Sequence, residues 1–291
     1  MSGQLYLLPC PISEAPALDA LPASTVETAR RIDHFLVEAA RTARATLKAM
    51  GHPKPIAELD IVEIGHDPAP ELISEWLQPV LDGADAAVLS ESGCPGVADP
   101  GAQIAARAHE LGIRVVPLTG PSSILLTLMA SGLDGQRCRF SGYLPKHDAE
   151  RRAAILAAEK ASRASETQLF IETPYRNTAL LDALLETLAP DTRLTVAIDV
   201  TGQNESIRTL TAAAWKAIPK AMRTLPKLPT VFAFLAKPGK TAPRYAPECA
   251  GGKRAHTAPS SKPAVLNNRP KKAYKTHRPE GSPVKTPKGG R

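Results

Sequence analysis

Cysteine is scarce. The four thiols of this 291-residue chain, Cys10, Cys94, Cys138 and Cys249, lie far apart, with no C-x-x-C pair and no histidine pattern nearby. A disulfide framework and a zinc site of ordinary spacing are therefore excluded, and reduced thiols are the expectation. Long apolar runs are missing as well: nothing uncharged approaches the ~20 residues that a membrane span needs. No membrane partner is expected, and Met1-Ser2-Gly3-Gln4 lacks the basic-then-apolar order of a secretory signal, which points to the cytoplasm. Three nucleotide and hydrolase signatures are absent: G-x-G-x-x-G after the first strand, G-x-x-x-x-G-K-[ST], and G-x-S-x-G. Dehydrogenase, P-loop and α/β-hydrolase readings fall with them. The seven histidines (His34, His52, His66, His109, His147, His256 and His277) form no ligand spacing, so no metal is expected, and scattered ones such as His34 and His109 read as helix-surface residues.

What is present fits a globular protein of about two domains at roughly 150 residues each. Hydrophobic residues make up 43% and charged residues 22%, ordinary values for a chain that buries a core. The net charge of +7 conceals a division: of 36 Lys and Arg and 29 Asp and Glu, residues 238–291 hold 13 and 2, leaving 23 and 27 in residues 1–237. The basicity belongs to the tail. Its 54 residues include nine prolines and only three of Val, Leu, Ile and Phe, too few to offset backbone ordering, and disorder is expected. Lysines and arginines set among Pro, Gly, Ser and Thr suit a salt-sensitive arm for RNA phosphates, or a solubilising tail without a specific partner.

Residues 1–237 alternate between short β-rich apolar runs and longer helix-period segments, the pattern of an α/β protein with a mostly parallel sheet. Residues 4–8 read as a first strand, stopped by Pro9-Cys10-Pro11 because proline removes a ladder donor. Ser24-Thr25-Val26-Glu27 matches a capping box, and Ile32, Leu36, Ala39, Ala40 and Leu47 recur at roughly helical spacing, so one long helix is predicted to Met50 with Gly51 as its stop. Strands over 60–64, 86–90 and 113–116 interleave with helices over 70–81 and 102–111, and a helix follows over 124–130. A second domain is predicted from helices at 149–163, 178–188 and 212–216 and strands at 168–171, 194–198 and 230–235. The expected boundaries are 1–119 and 120–237 for two α/β domains and 238–291 for the tail.

Three loops carry chemistry. The segment from Leu89 to Gly101 follows an expected buried strand, the place where open α/β sheets hold ligands; Gly93 and Gly96 allow close backbone approach, Ser90 and Ser92 offer hydroxyls, and Asp99-Pro100 can start the next helix. A plain glycine-rich turn ending in an N-capped helix explains the same residues. Residues 117–123 form a second such loop, in which Ser122 or Ser123 can equally be a helix cap. Glu172-Thr173-Pro174-Tyr175-Arg176 suits a polar ligand rim, or an ordinary helix start with an exposed ion pair.

Taken in order, Leu5 to Ser13, Ser90 to Gly101, Val115 to Ser123, Phe140 to Pro145 with Arg151-Arg152, Phe170 to Arg176 and Pro229 to Leu235 resemble the tetrapyrrole methylase superfamily. Within it the chain is most similar to the bacterial small-subunit ribosomal RNA (cytidine-2′-O)-methyltransferase family, through Leu89-Ser90-x-x-Gly93-x-Pro95, Asp99-Pro100-Gly101, Val115-Val116-Pro117-Leu118-x-Gly120-Pro121 and Gly142-x-Leu144-Pro145. The resemblance implies two α/β domains with S-adenosylmethionine in the cleft between them, and a homodimer. Residue by residue, it puts Pro9 at the pocket from the first strand. Ser90, Ser92, Gly93, Pro95, Val97 and Ala98 would lie around the methionine and ribose, and Gly120, Pro121, Ser122, Ser123, Thr173, Pro229 and Thr230 would complete the pocket.

Departures from the family pattern cluster on the expected acceptor side. Ser13-Glu14 stands for Gly-Asn, Glu38-Ala39-Ala40-Arg41 for Glu-Asp-Thr-Arg, Ser90-Glu91 for Ser-Asp, Gly93-Cys94-Pro95 for Gly-Thr-Pro, and Tyr175 for a His. If a ribose hydroxyl is the acceptor, a base or polarising cation must help remove its proton, and Glu38, Arg41 and Glu91 are the candidates. Glu38 and Arg41, three apart, also fit a solvated helix-surface pair. The expected function is S-adenosylmethionine-dependent methylation of RNA; the alternatives are methylation of a small molecule, and a module that keeps the cofactor fold without transfer.

Overall fold

Two five-stranded sheets organise the computed structural model, which describes residues 2–238. The first part of the chain runs β1 (Gln4–Leu8), α1 (Ala17–Ala20), α2 (Ala23–Ala29), β2 (His34–Val37), α3 (Ala40–Ala49), β3 (Asp60–Glu63), α4 (Pro70–Trp76), α5 (Gln78–Leu81), β4 (Ala86–Leu89), α6 (Ala102–Glu110) and β5 (Arg114–Pro117). The second runs α7 (Ser123–Ser131), β6 (Cys138–Tyr143), α8 (Asp148–Ser162), β7 (Thr167–Glu172), α9 (Asn177–Thr187), β8 (Arg193–Ile198), β9 (Ser206–Thr211), α10 (Ala212–Ala217) and β10 (Thr230–Leu235). The expectation of a disordered tail falls almost wholly outside the described residues.

The first sheet is parallel throughout, in the order β3-β2-β4-β1-β5. Its central strands are covered on both faces, which is why β4 is an unbroken apolar run, Ala86-Ala87-Val88-Leu89, every residue of it buried. β2 corrects the long helix predicted over 24–50. His34, Phe35, Leu36 and Val37 are all buried, and they alternate: Phe35 and Val37 enter one core cluster, Leu36 the other. Side chains that alternate strictly between two opposite cores follow period 2, which wins here over an accidental match to 3.6. The capping box fails too. α2 begins after Pro22 with no side-chain cap, which puts Ser24 inside the helix, and Thr25 Oγ1 donates to the Thr119 carbonyl at 2.7 Å. The helix expected over 70–81 is split between α4 and α5, with Pro79 in the first turn of the latter. His34 is not a surface residue: its ring is buried in β2, with Nδ1 2.6 Å from Asp60 Oδ2.

The second sheet, in the order β6-β7-β10-β8-β9, is mixed: only β6 and β7 pair in parallel, and the other three pairings are antiparallel. A mostly parallel arrangement is thus corrected for this half. β8 and β9 form a hairpin, whose short connection permits antiparallel pairing where a parallel one requires a crossover. The two edge strands, β6 and β9, were not among the predicted elements. Both are largely exposed or half-exposed and lack an apolar run, so they carry little strand signal. The core of this half holds Phe170 stacked on Phe234 at 5.6 Å between centroids, with Phe232, Leu181 and Leu184.

α7, which follows the first sheet in the chain, packs against β9 and β10 of the second. A small cluster joins the halves: Ala197, Val200 and Val231 of the second, with Ile12 from the loop after β1 and Leu126 from α7 packed against them. The cleft opens beside this joint.

Candidate active site

Strands β1, β4 and β5 all point their carboxyl ends the same way, so the loops 9–16, 90–101 and 118–122 converge. They are stitched together by contacts that the residue types require. Cys10 and Gly93 exchange two backbone hydrogen bonds, at 2.8 and 3.2 Å, and Gly93 is left-handed at φ 73°. The Cys10 thiol donates to the Ser90 carbonyl at 3.0 Å, and the Cys94 thiol to that of Pro121 at 3.4 Å. Gly120 stands directly against the Pro9 ring. Burial pushes the Cys10 thiol up to about 12, aided by the Asp99 and Glu38 carboxylates, so it is inert as a nucleophile.

Between these loops and the ends of β6, β7 and β10 lies a cavity of about 300 Å³. Of the fourteen cofactor candidates, eight line it: Ser92, Val97, Ala98, Ser122, Ser123, Thr173, Pro229 and Thr230. The other six do not. Pro9, Ser90, Gly93, Gly120 and Pro121 form the stitching described above, and Pro95 packs against Gly101. Ser122 also caps α7, its hydroxyl accepting from Leu125 N at 3.5 Å, so the capping explanation holds beside the lining one. Ala98 adopts φ 63° without being glycine, a backbone cost of roughly 1–2 kcal/mol held at the cavity wall.

Glu172 and Pro174, from the segment read as a polar ligand rim, line it too, whereas the sequence did not mark the remaining wall residues as ligand contacts. Ile12, Ile171, Val200 and Val231 supply an apolar side, and Cys94, Asp99, Tyr143 and Glu172 a polar one. Asp99 was legible only as a helix starter, yet α6 is capped by Gly101 with no side-chain bond. Its surroundings are informative. Burial, together with the carboxylates of Glu38 and Glu91 and against the opposing charge of His66, pushes the Asp99 carboxyl up to about 6. The Tyr143 hydroxyl is raised by burial and by the carboxylates of Asp99, Glu172 and Glu38. The cavity thus carries negative potential.

Two of the three proton-handling candidates come together. Glu38 follows β2, its Oε1 is 2.8 Å from His66 Nδ1, and its Oε2 accepts from Glu91 N at 3.1 Å. Glu91 in turn accepts from Thr42 Oγ1 at 2.9 Å. The hydrogen bond and charge of Glu38 raise the His66 ring above its ordinary value. Arg41 does not join them. It is exposed on α3 and makes no side-chain hydrogen bond or ion pair among the described residues, and the helix pair with Glu38 is absent because Glu38 sits at a strand end. None of the three lines the 300 Å³ cavity. Glu91 faces an adjoining pocket of about 710 Å³ that shares Ile12, Ser92 and Pro229 with it, while His66 faces one of about 260 Å³ that shares Ala98 and Asp99.

On the far side, Glu172 is buried. Its Oε1 accepts from Thr173 N at 2.7 Å and its Oε2 from Arg176 Nη2 at 2.6 Å. The ion-pair reading of this loop therefore holds, except that its acid is inside the protein.

A parallel sheet and a mixed sheet, with a part-apolar, part-polar cleft at the strand ends and a joint behind it, define a two-lobed α/β protein with a cavity between its lobes. The family model described as tetrapyrrole (corrin/porphyrin) methylases matches residues 17–215, and the chain belongs to that family. It is 29% identical over 201 residues to the ribosomal RNA small subunit methyltransferase I of Neisseria meningitidis serogroup B, covering 69% of this chain and 65% of that one. With the protein of the same name from Mesorhizobium japonicum it shares 32% identity over 210 residues, 72% of this chain and 68% of that one. The chain thus spans about two thirds of the length of these relatives. The crystal structure of a diphthine synthase has the same fold, with a TM-score of 0.56 at 17% identity over 81% of this chain and 90% of that one. Among the described residues no helix is long and apolar enough to cross a membrane.

Proposed function

We propose that this chain is an S-adenosylmethionine-dependent methyltransferase acting on RNA of the small ribosomal subunit, in the cytoplasm and as a homodimer. The observation that carries this reading is the cavity walled by both sheets, in a member of a methylase family. Its walls fit the cofactor. Ile12, Ile171, Val200 and Val231 offer an apolar side for a flat heteroaromatic base, and the hydroxyls of Ser92, Ser122, Ser123, Thr173 and Thr230 suit ribose and amino-acid polar groups. Asp99, with Glu172 and Glu38 near Tyr143, gives the field that a cationic sulfonium requires.

The bound cofactor supplies an already activated methyl group, which leaves the protein mainly alignment, exclusion of water and custody of one proton. Asp99 is placed for the last task. A carboxyl at about 6 is mostly ionised at neutral pH and basic enough to accept a proton from an acceptor hydroxyl. Glu38 acts behind it: it fixes His66 and the Glu91 backbone, and its charge raises Asp99. Residues 238–291, with their excess of Lys and Arg, would add a salt-sensitive contact to RNA phosphates.

Calorimetric titration with S-adenosylmethionine, followed by transfer of labelled methyl groups to small ribosomal subunits and to total RNA, tests the reading. Label in RNA supports it. Label in a small molecule replaces the acceptor, and binding without turnover in any cellular fraction reduces the protein to a cofactor-binding module.

A further inference from the structure

One lip of the cavity differs chemically from the rest. Thr173, Pro174 and Pro229 line the cavity, and the chain leaves them in two directions, forward through Tyr175 into α9 and backward through Leu228 to Lys227. The two paths are tied to each other. Asn177 Nδ2 donates to the Leu228 carbonyl at 2.8 Å, Leu225 N donates to Thr178 Oγ1 at 3.0 Å, and Lys227 Nζ lies 5.2 Å from the centre of the Tyr175 ring. Tyr175 is 81% exposed, so most of its ring is open to solvent at the mouth of a ligand cavity.

The same segment carries further cations. Lys220 and Arg223 lie 3.3 and 3.9 Å from Asp182 on α9, and Lys216 is exposed at the end of α10. The carboxylate nearest Tyr175 in the chain, Glu172, is buried and already held by Arg176 and Thr173, so it does not oppose an anion at this lip. Across the cavity the acids Glu38, Glu91 and Asp99 are unsuited to phosphate. A phosphodiester strand approaching the cleft along this lip would meet an exposed aromatic ring with a lysine against it. A ring that offers its face beside a lysine stacks on any base while the lysine meets the backbone, which is how single strands are held without reading their sequence.

We propose that Tyr175 and Lys227 form a stacking platform for a nucleotide of single-stranded RNA beside the acceptor, with the exposed Lys220 as a further phosphate contact. The platform rests on the reading that the acceptor is RNA. It also explains why the ring, with Lys227 over it, is otherwise left open to solvent at the rim of the cavity.

The test uses the full chain and a short fluorescein-labelled single-stranded RNA of mixed sequence. Tyr175→Ala is expected to weaken RNA binding about tenfold, within the range for loss of one base stack, while Tyr175→Phe binds as the wild type does. Lys227→Ala lowers the slope of log K against log salt by about 0.7, the share of one phosphate in a single strand. S-adenosylmethionine binding, measured by calorimetry, stays unchanged in all three, which shows that the fold is intact. Photo-crosslinks from thiouridine-labelled RNA fall on Tyr175. The platform is overturned if Tyr175→Ala binds RNA like the wild type, or if the crosslinks fall only within residues 238–291. A wild type that binds RNA through Tyr175 yet methylates none of it overturns the acceptor reading and leaves the platform standing.

Discussion

Gly120 and Pro9 touch without room for another atom: a β-carbon built on Gly120 would stand 2.2 Å from Pro9 Cβ and 2.6 Å from Pro9 Cγ. The loop after β5 and the loop after β1 are thereby held at one fixed distance, and the residues that follow Gly120, Ser122 and Ser123, reach the cavity wall.

Gly120→Ala therefore forces the two loops apart. The proline ring cannot swing away, so the cost is that of overpacking, about 1–3 kcal/mol, or roughly 2–4 °C of Tm for each kcal/mol in a protein of this size. Gly135→Ala is the control, because a β-carbon added there would meet nothing within 4 Å and its φ is not positive. Thermal unfolding should show a clear loss for the first variant and little change for the second, and calorimetry should show weaker cofactor binding for Gly120→Ala alone.

Asp99 couples activity and stability to pH in opposite senses. Its carboxyl sits at about 6 in the folded protein against an ordinary 3.8, so between these values the native state holds more protons than the unfolded one. Stability attributable to this group is then greatest in acid and declines as pH rises from about 4 through about 6. Asp99→Asn removes the half-buried charge and should raise Tm at pH 7, with the gain vanishing near pH 4. Activity runs the other way: the wild type should lose turnover as pH falls through about 6, whereas Asp99→Asn should be slow at every pH without that step. A variant with wild-type turnover and an unchanged acid limb would remove Asp99 from proton transfer.

The neighbours of Asp99 move that limb in opposite directions. Glu38 raises the Asp99 carboxyl and His66 lowers it. Glu38→Gln should shift the acid limb of the turnover profile to lower pH and His66→Ala to higher pH. Two shifts of the same sign would mean that the variants act by disturbing the loop, since both also break the 2.8 Å contact between Glu38 and His66.

Legibility in the sequence followed burial. β4 was readable because a strand covered on both faces is apolar throughout, β1 because Leu5 to Leu8 form an apolar run stopped by Pro9, and the loops after β4 and β5 because glycine, proline and serine punctuate them. β2 was hidden by Ile32, Leu36, Ala39, Ala40 and Leu47, whose spacing imitates a helix; only the neighbouring strands β3 and β4 reveal that Phe35 and Leu36 face opposite ways. The cavity divided on the same principle. Its hydroxyl-bearing residues stood in recognisable loops, whereas Ile12, Val200 and Val231 looked like any core residue until the two sheets met over them. Asp99 lay within a recognised segment, but what raises it is first its burial in the folded cleft and then the charge of Glu38 after β2, with Glu91 of its own loop adding less, so the main causes come from topology and not from spacing.

The charge of the cavity should also decide between the cofactor and what remains of it. S-adenosylmethionine carries a positive sulfonium; S-adenosylhomocysteine, lacking the methyl group, has a neutral thioether and is otherwise the same. Apolar contacts with Ile12, Ile171, Val200 and Val231 would be common to both under the proposed cofactor site, so the difference in their affinities isolates the electrostatic contribution. An ionised Asp99 favours the sulfonium, and the half-exposed position of its carboxylate lets solvent screen the effect to a modest factor. Asp99→Asn should therefore lower the affinity for S-adenosylmethionine severalfold while leaving that for S-adenosylhomocysteine nearly unchanged. The same convergence should appear in the wild type as pH is lowered through about 6, where Asp99 takes up its proton. Calorimetric titrations of both compounds at pH 5 and pH 8 would check this, and an affinity ratio that ignores both pH and the substitution would place the sulfonium away from Asp99.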